Sequence, residues 1–211
     1  MTVKIFNSNG MRQNVYLYYN ENTGEGVIID AGCSDKDIAA ISAAIKDSNI
    51  TVKAVLLTHG HYDHIIAVDE IKILTGAMVY GYETEKVLLE EPELNLSVKL
   101  GKAITITPDR LFKDGEVFEL GDAALMVIHT PGHTQGGACY YDEKNGNLFA
   151  GDVLFMGSIG RSDLPGGDSD VLIDSIKAKL LSLPEDTKVY PGHGMATTIG
   201  REKDSNPFVR G

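Results

Sequence analysis

The stretch Leu57-Thr58-His59-Gly60-His61-Tyr62-Asp63-His64 gathers three imidazoles and a carboxylate within six residues, directly after the β-branched, apolar run Val52 to Thr58. That run reads as a buried strand, and the apolar-periodic segment from His64 to Leu74 reads as a helix. The cluster therefore sits where a strand turns into a helix. Loops at the carboxyl ends of strands in α/β sheets point side chains into an open crevice instead of a packed layer. Neutral imidazole nitrogens suit Zn²⁺ and Fe²⁺, and an aspartate adds a hard, charge-neutralising oxygen. Four such groups crowd one cation. The alternation of side-chain direction through His-x-His-x-Asp-His gives His59 and His61 to one metal and turns Asp63 and His64 toward a second. A polar loop with chance histidines is the plain alternative, but a string this dense rarely arises by accident.

Upstream, Val3 to Phe6, Asn14 to Tyr19 and Gly26 to Ile29 read as short strands, with a turn at Asn22-Thr23-Gly24, so a meander opens a sheet. Asp30 ends the third strand, as a turn former or as an anchor holding the histidine loop from behind. Ser34-Asp35-Lys36-Asp37 is a capping signature for a helix to about Asn49, with Ile38, Ile41 and Ile45 on its apolar face. Downstream, Ala77 to Gly81 reads as a strand and Glu83 to Glu91 as a charged helix broken at Pro92. The segment from Asn95 to Arg110 has no firm period: it is a surface excursion bordering a substrate groove, or an ordinary loop containing a strand. Asp114-Gly115 is a turn, and Ala124 to Ile128 a buried strand.

That strand delivers a second cluster, His129-Thr130-Pro131-Gly132-His133-Thr134-Gln135-Gly136-Gly137. Proline and glycine expose His133 in a turn, marking it as a ligand, whereas His129 occupies the strand's last position and is expected to be packed. Asn147 to Asp152 is a strand ending in Gly-Asp, and beside two ligand clusters Asp152 becomes a candidate bridging carboxylate. The glycine-rich segment from Phe155 to Asp168 lacks the Gly-Lys-Ser/Thr ending of a phosphate loop and reads as a long structured turn. Ser169 or Asp168 caps a helix with Val171, Leu172, Ile173, Ile176 and Leu180 on its inner face. The last strand, Thr187 to Tyr190, runs into Pro191-Gly192-His193-Gly194, which presents a histidine between glycines, and a short helix near Thr198 to Asp204 follows.

Composition narrows the function further. A formal charge of -11 and a pI near 4.9 argue against nonspecific nucleic-acid binding, because the protein's field repels phosphates. No secretory signal or bilayer-spanning run is visible, so a cytoplasmic protein is expected. Cys33 and Cys139, the only two cysteines, are too few for a disulfide scaffold and are expected as reduced thiols. With 211 residues, 43% of them hydrophobic, the chain reads as one domain, 1–211.

Taken in order, Thr58-His59-Gly60-His61-Tyr62-Asp63-His64, Pro131-Gly132-His133-Thr134, Gly151-Asp152 and Gly192-His193-Gly194 resemble the metal motifs of the metallo-β-lactamase superfamily, across essentially the whole chain. The resemblance implies an α/β (α+β) four-layer αβ/βα sandwich: two mixed β-sheets face to face, helices outside, metals at one edge. Gly160-Arg161-Ser162-Asp163-Leu164-Pro165-Gly166-Gly167-Asp168 and the ending from Thr197 to Phe208 are similar to short, single-domain relatives of glyoxalase II, the hydroxyacylglutathione hydrolases. Carried over, the resemblance puts His59, His61 and His133 on a first metal and Asp63, His64 and His193 on a second, with Asp152 bridging. The cofactors implied are two divalent ions, zinc foremost, with iron or manganese as alternatives. A hydroxide shared between them would attack the carbonyl of a small-molecule thioester, with Asp63 and Asp152 as the catalytic carboxylates; Tyr62 receives no chemical role. Two-domain glyoxalase II enzymes carry Gly-Lys-Phe-Tyr where this chain has Gly160-Arg161-Ser162-Asp163, and a carboxy-terminal helical glutathione-binding domain that this chain is expected to lack. Arg161 either stands in for that lysine and pairs with a substrate carboxylate, or is held internally by Asp163.

Rival readings stay within the superfamily. Persulfide dioxygenases use a single Fe²⁺ and carry Gly-Arg-x-Asp, but typically continue with Phe where this chain has Leu164. Lactonases are compatible with the ligand set; lactamases generally lack the Asp152 bridge, and nucleases are disfavoured by charge. A purely structural zinc site is usually closed by four ligands and has no use for seven.

Overall fold

The computed structural model describes residues 1–7 and 12–210. Strands β1 (Thr2–Asn7), β2 (Asn14–Tyr19) and β3 (Glu25–Ile29) form the expected antiparallel meander, and β4 (Thr51–Leu56), β5 (Met78–Tyr82) and β6 (Arg110–Phe112) extend it in parallel. Parallel strands need crossovers, and helices supply them. Helix α1 (Asp35–Asp47) links β3 to β4; α2 (Tyr62–Ile65) and α3 (Val68–Thr75) link β4 to β5; α4 (Lys86–Glu90) follows β5. The Ser34–Asp37 capping box forms as the sequence suggests.

The second sheet has the order β14-β13-β10-β9-β8-β7. Its strands β7 (Val117–Leu120), β8 (Ala123–His129), β9 (Ala138–Asp142) and β10 (Asn147–Gly151) run antiparallel. A small hairpin, β11 (Leu154–Phe155) with β12 (Ser158–Ile159), and helix α5 (Ser169–Ser175), capped by the Asp168 side chain, come next. Strand β13 (Lys188–Pro191) then pairs in parallel with β10, β14 (Thr197–Thr198) closes the edge, and α6 (Ile199–Ser205) follows.

Alternation along the strands sorts the core into three apolar layers. Tyr16, Tyr18, Ile29 and Leu56 face Leu125, Val127, Tyr140 and Phe149 between the sheets. On the other face of the first sheet, Leu17, Ile28 and Val55 pack on Ile41 and Ile71 of the helices. On the other face of the second, Cys139, Leu148 and Val189 pack on Leu172 and Ile199. The architecture is therefore helix, sheet, sheet, helix, with both sheets mixed.

Tyrosines buried between the sheets need partners for their hydroxyls. The Tyr140 hydroxyl donates to the Leu57 carbonyl at 2.7 Å, and the Tyr16 hydroxyl to the Pro191 carbonyl at 2.5 Å. Each bond ties down the end of a strand just before a histidine. The inter-sheet core thereby positions the rim.

Three expectations need correction. Val171, expected on the inner face of α5, is 41% exposed, because the helix turns Leu172 and Ser175 inward instead. The helix expected over His64 to Leu74 is two helices, α2 beginning at Tyr62 and α3 at Val68. Ala31 causes the break: its N–H takes the His64 carbonyl at 2.7 Å, and its own carbonyl takes the Ala67 N–H at 3.0 Å, replacing bonds a continuous helix would make. The segment 155–168 is more ordered than a turn, because its first residues pair as the β11–β12 hairpin.

Candidate metal centre

Four strand ends meet at one rim. β4 leads to His59, His61, Asp63 and His64, β8 to His133, β10 to Asp152 and β13 to His193. His59 Nε2 and His61 Nδ1 lie 3.2 and 3.0 Å from His133 Nε2. Zinc–nitrogen bonds of about 2.0–2.1 Å in a tetrahedron put neighbouring nitrogens roughly 3.3 Å apart, so this triad has the spacing of one coordination shell. Asp63, His64 and His193 form a second group, with His193 Nε2 3.2 Å from Asp63 Oδ2. Asp152 stands between the groups: Oδ2 is 3.8 Å from His133 Nε2 and 3.6 Å from His193 Nε2, and Oδ1 is 3.4 Å from His64 Nε2.

Orphaned atoms test the fit of cations to this cluster. His64 Nε2 and Asp152 Oδ1 are both buried and lack a hydrogen-bond partner, although they face one another. Buried polar groups left unpaired are costly and rare. A divalent cation between such donors satisfies them, and a set of five imidazoles and two carboxylates suits zinc or iron.

The opposite side of four rings is fixed as firmly. Nδ1 of His64 donates to Asp30 Oδ2 at 2.8 Å, Nδ1 of His133 to the Arg161 carbonyl at 2.6 Å, and Nδ1 of His193 to the Arg12 carbonyl at 3.0 Å. His59 Nδ1 lies 3.1 Å from Thr58 Oγ1, whose hydroxyl donates onward to Asp30 Oδ2 at 2.9 Å. Such bonds fix each ring with Nδ1 as the donor and turn Nε2 toward the cluster. Asp30 thus holds one ring of each group, directly for His64 and through Thr58 for His59. Its backbone φ of +57° also turns the chain, so both readings of Asp30 apply.

The family model described as the metallo-beta-lactamase superfamily matches residues 9–193. The chain belongs to this superfamily. Among its relatives is the hydroxyacylglutathione hydrolase GloC of Haemophilus influenzae, 37% identical over 99% of this chain and 98% of that protein. Among solved structures, the BLEG-1 B3 metallo-beta-lactamase is 43% identical, covers 100% of both chains and superposes with a TM-score of 0.91. TTHA1623 in a di-iron-bound form is 35% identical over 98% of this chain and 100% of that one, with a TM-score of 0.85. Divalent-metal binding comes with the superfamily, and the cluster supplies the donors for it.

Seen as a metallo-β-lactamase-fold centre, the two groups differ in electrostatics. In the apoprotein, burial, reinforced by neighbouring imidazoles, holds His59 well below the usual imidazole range and His61 down to about 3. Burial lowers His133 as well. These rings are neutral and ready to coordinate. In the second group burial also opposes the charged form, yet Asp152 and Asp30 raise His64 well above the usual range, and the Asp63 carboxylate raises His193. Asp152 is held far below the usual carboxylate range, because His64, His133 and His193 outweigh its burial.

All seven residues singled out as ligands converge here. His129 does not: as expected it packs, stacked 4.2 Å from the Tyr82 ring, its Nε2 bonded to the Gln135 carbonyl. Cys33 and Cys139 are buried free thiols, their pKa values pushed up to about 12 by burial. Arg161 lines the cleft above the cluster with Tyr62, Leu96, Lys99 and Leu164, but its guanidinium makes two 2.8 Å bonds to the Asp163 carboxylate. The internal pair is the observed arrangement, and the carbonyl of Arg161, not its charge, anchors His133.

The segment 95–110 does border the cleft. Buried Asn95 fastens it, donating to the Ile104 carbonyl at 2.8 Å and giving its own carbonyl to the Tyr62 N–H at 2.9 Å. Its only regular structure before β6 is a 3₁₀ turn, Ser97–Leu100. In the sequence Glu85 is one acid in a charged run, yet it is buried against both histidine loops. Thr58, likewise, is an ordinary strand residue until folding puts Asp30 beside it.

Proposed function

We propose that the chain is a binuclear thioester hydrolase of the hydroxyacylglutathione hydrolase type, with His59, His61 and His133 holding one cation, Asp63, His64 and His193 a second, and Asp152 bridging. The observation that carries the reading is the position of Asp152, whose carboxylate reaches histidines of both groups. When bound, two divalent cations supply Lewis acidity for a carbonyl oxygen and lower the pKa of water enough to furnish a nucleophile at neutral pH. Zinc fits the donor set first; iron is supported by the di-iron relative, and manganese is a further alternative.

The protein's own residues do the positioning. Asp63 and Asp152, ionised at neutral pH, bring negative charge to a cation-binding rim. Asp30, Thr58 and the carbonyls of Arg12 and Arg161 hold four rings so that no ligand must reorient during the reaction. The cleft, about 190 Å³, takes a small acyl group. A thiolate leaving group is stable near neutral pH and departs without a proton, so Tyr62 needs no acid role.

Lys99 at the cleft mouth makes no ion pair with any described residue, which leaves it free for a carboxylate on the thiol carrier. Arg161 could add to this only by leaving Asp163, and that exposed pair is weakly held. A net charge of -11 disfavours a nucleic-acid substrate, and no helix among the described residues is long and apolar enough to cross a membrane.

The relative named as a B3 metallo-beta-lactamase, at 43% identity, favours a second reading, β-lactam hydrolysis. Initial rates on S-lactoylglutathione and on a chromogenic cephalosporin separate the two. Thioester turnover exceeding lactam turnover by orders of magnitude supports the proposal, and the reverse ratio would replace it.

A further inference from the structure

Glu85 lies outside every ligand loop, on the 3₁₀ turn Glu83–Glu85 that follows β5, and is only 1% exposed. Carboxylates are almost never buried so deeply without partners. Its partners include two backbone amides from two different loops, and the Thr134 side chain of the second loop also faces it. Oε1 accepts the Gly60 N–H at 2.8 Å, and Oε2 accepts the Gly136 N–H at 2.8 Å. Gly60 stands between His59 and His61; Gly136 lies three residues beyond His133.

Both loops press on the segment that carries Glu85. A Cβ on Gly60 would fall 2.6 Å from Leu88 Cδ2, and one on Gly136 would fall 2.2 Å from the Glu85 backbone nitrogen. The Gly136 loop reaches the carboxylate only because that residue has no side chain, whereas at Gly60 the neighbour is the movable end of Leu88. We propose that Glu85 is the positioning residue of the first histidine triad: one carboxylate, gripping Gly60 and Gly136 together, sets the distance between the His59–His61 pair and His133. The proposal rests on reading that triad as a cation site. Glu85 touches none of the three rings, so it acts through the backbone and is not itself a ligand.

Glu202 provides the control. It is equally buried and accepts the Gly157 N–H at 2.7 Å and the Asn206 amide at 2.9 Å, but it reaches no histidine loop. The test is competition titration of the apoprotein with Zn²⁺ and a chromophoric chelator, on wild type, Glu85→Gln and Glu202→Gln. His133→Ala and Asp63→Ala identify which binding step belongs to which group. In Glu85→Gln an amide NH₂ replaces one acceptor and meets a backbone N–H, which frees one loop.

The step lost in His133→Ala is expected to weaken about 10–100-fold in Glu85→Gln, the range seen when groups supporting metal ligands are removed. The step lost in Asp63→Ala should hold within about twofold, and the visible spectrum of Co²⁺ bound at the first triad should change. Glu202→Gln should lower thermal stability and leave both steps intact. If Glu85→Gln does not fold, Glu85→Asp, which keeps both acceptors on a shorter arm, carries the same test. Unchanged first-step affinity in a folded variant, equal weakening of both steps, or an equal effect of Glu202→Gln overturns the proposal alone. A wild-type protein that binds no Zn²⁺ removes the triad reading and the proposal with it.

Discussion

Asp30 lies behind the candidate metal centre and receives three hydrogen bonds: the Thr58 N–H on Oδ1 at 2.8 Å, and the Thr58 hydroxyl and His64 Nδ1–H on Oδ2 at 2.9 and 2.8 Å. Asp30→Asn preserves shape and tolerates the positive φ, but leaves one oxygen for three donors. If the amide oxygen stays at the doubly bonded position, its NH₂ opposes the Thr58 N–H, and a buried donor goes unsatisfied at about 1–3 kcal/mol. At roughly 2–4 °C per kcal/mol for a chain of this size, the apoprotein Tm falls by about 2–12 °C. If the amide flips instead, its NH₂ faces His64 Nδ1 and favours the tautomer with the proton on Nε2, the atom that faces Asp152. That second outcome costs little stability but removes the lone pair the second cation needs, about 10–100-fold in affinity. Calorimetry of the apoprotein and a zinc competition titration read the two effects separately. A variant with Tm within a degree of wild type and both zinc affinities within twofold would show that Asp30 does not hold the rings as argued.

The contrast between the two histidine groups predicts unequal loading with pH. His59, His61 and His133 have pKa values below the unfolded imidazole value, so they are neutral at pH 7 and the first cation should bind with little dependence on pH above about 6.5. His64 and His193 have raised values, so the second cation must displace protons and its affinity should climb as pH rises through that range; calorimetric titrations in buffers of different ionisation enthalpy would measure the protons released. The same shifts act on apoprotein stability in opposite senses. The depressed rings cost stability as pH falls below about 6.5, whereas the raised rings contribute stability that is present below about 6.5 and lost as pH rises through their folded values. Gly192→Ala places a methyl 2.2 Å from Asp152 Oδ1 and 2.6 Å from His64 Cε1, so it should displace Asp152 and cut activity at least about tenfold while the protein still folds, as circular dichroism and initial rates would report.

Much of this centre is legible in the sequence, because each candidate ligand follows closely on a strand, and five of the seven, all but Asp63 and His64, stand beside a glycine, a local arrangement that needs no knowledge of distant contacts. His133 and His129 show how far local logic carries: one is freed by Pro131 and Gly132, the other is the last residue of β8 and packs on Tyr82. What escaped depends on residues far apart in the chain. The break between α2 and α3 is made by Ala31, more than a helix length upstream, and no periodicity in 62–75 announces it. Glu85 sits among acids that look like a solvated face, and only the return of the chain at Gly136 shows that it is buried. In the sequence Arg161 stands out by its charge, but its carbonyl is the part that touches His133.

Metal content of the purified protein, measured beside thioester hydrolysis and oxygen uptake on glutathione persulfide, separates a binuclear hydrolase from a mononuclear iron enzyme. A binuclear thioesterase holds about two divalent ions per chain and turns over thioester, and Asp152→Ala should lose one ion and most activity. About one iron per chain, oxygen consumption on the persulfide and no hydrolysis would contradict that reading and make the protein a dioxygenase.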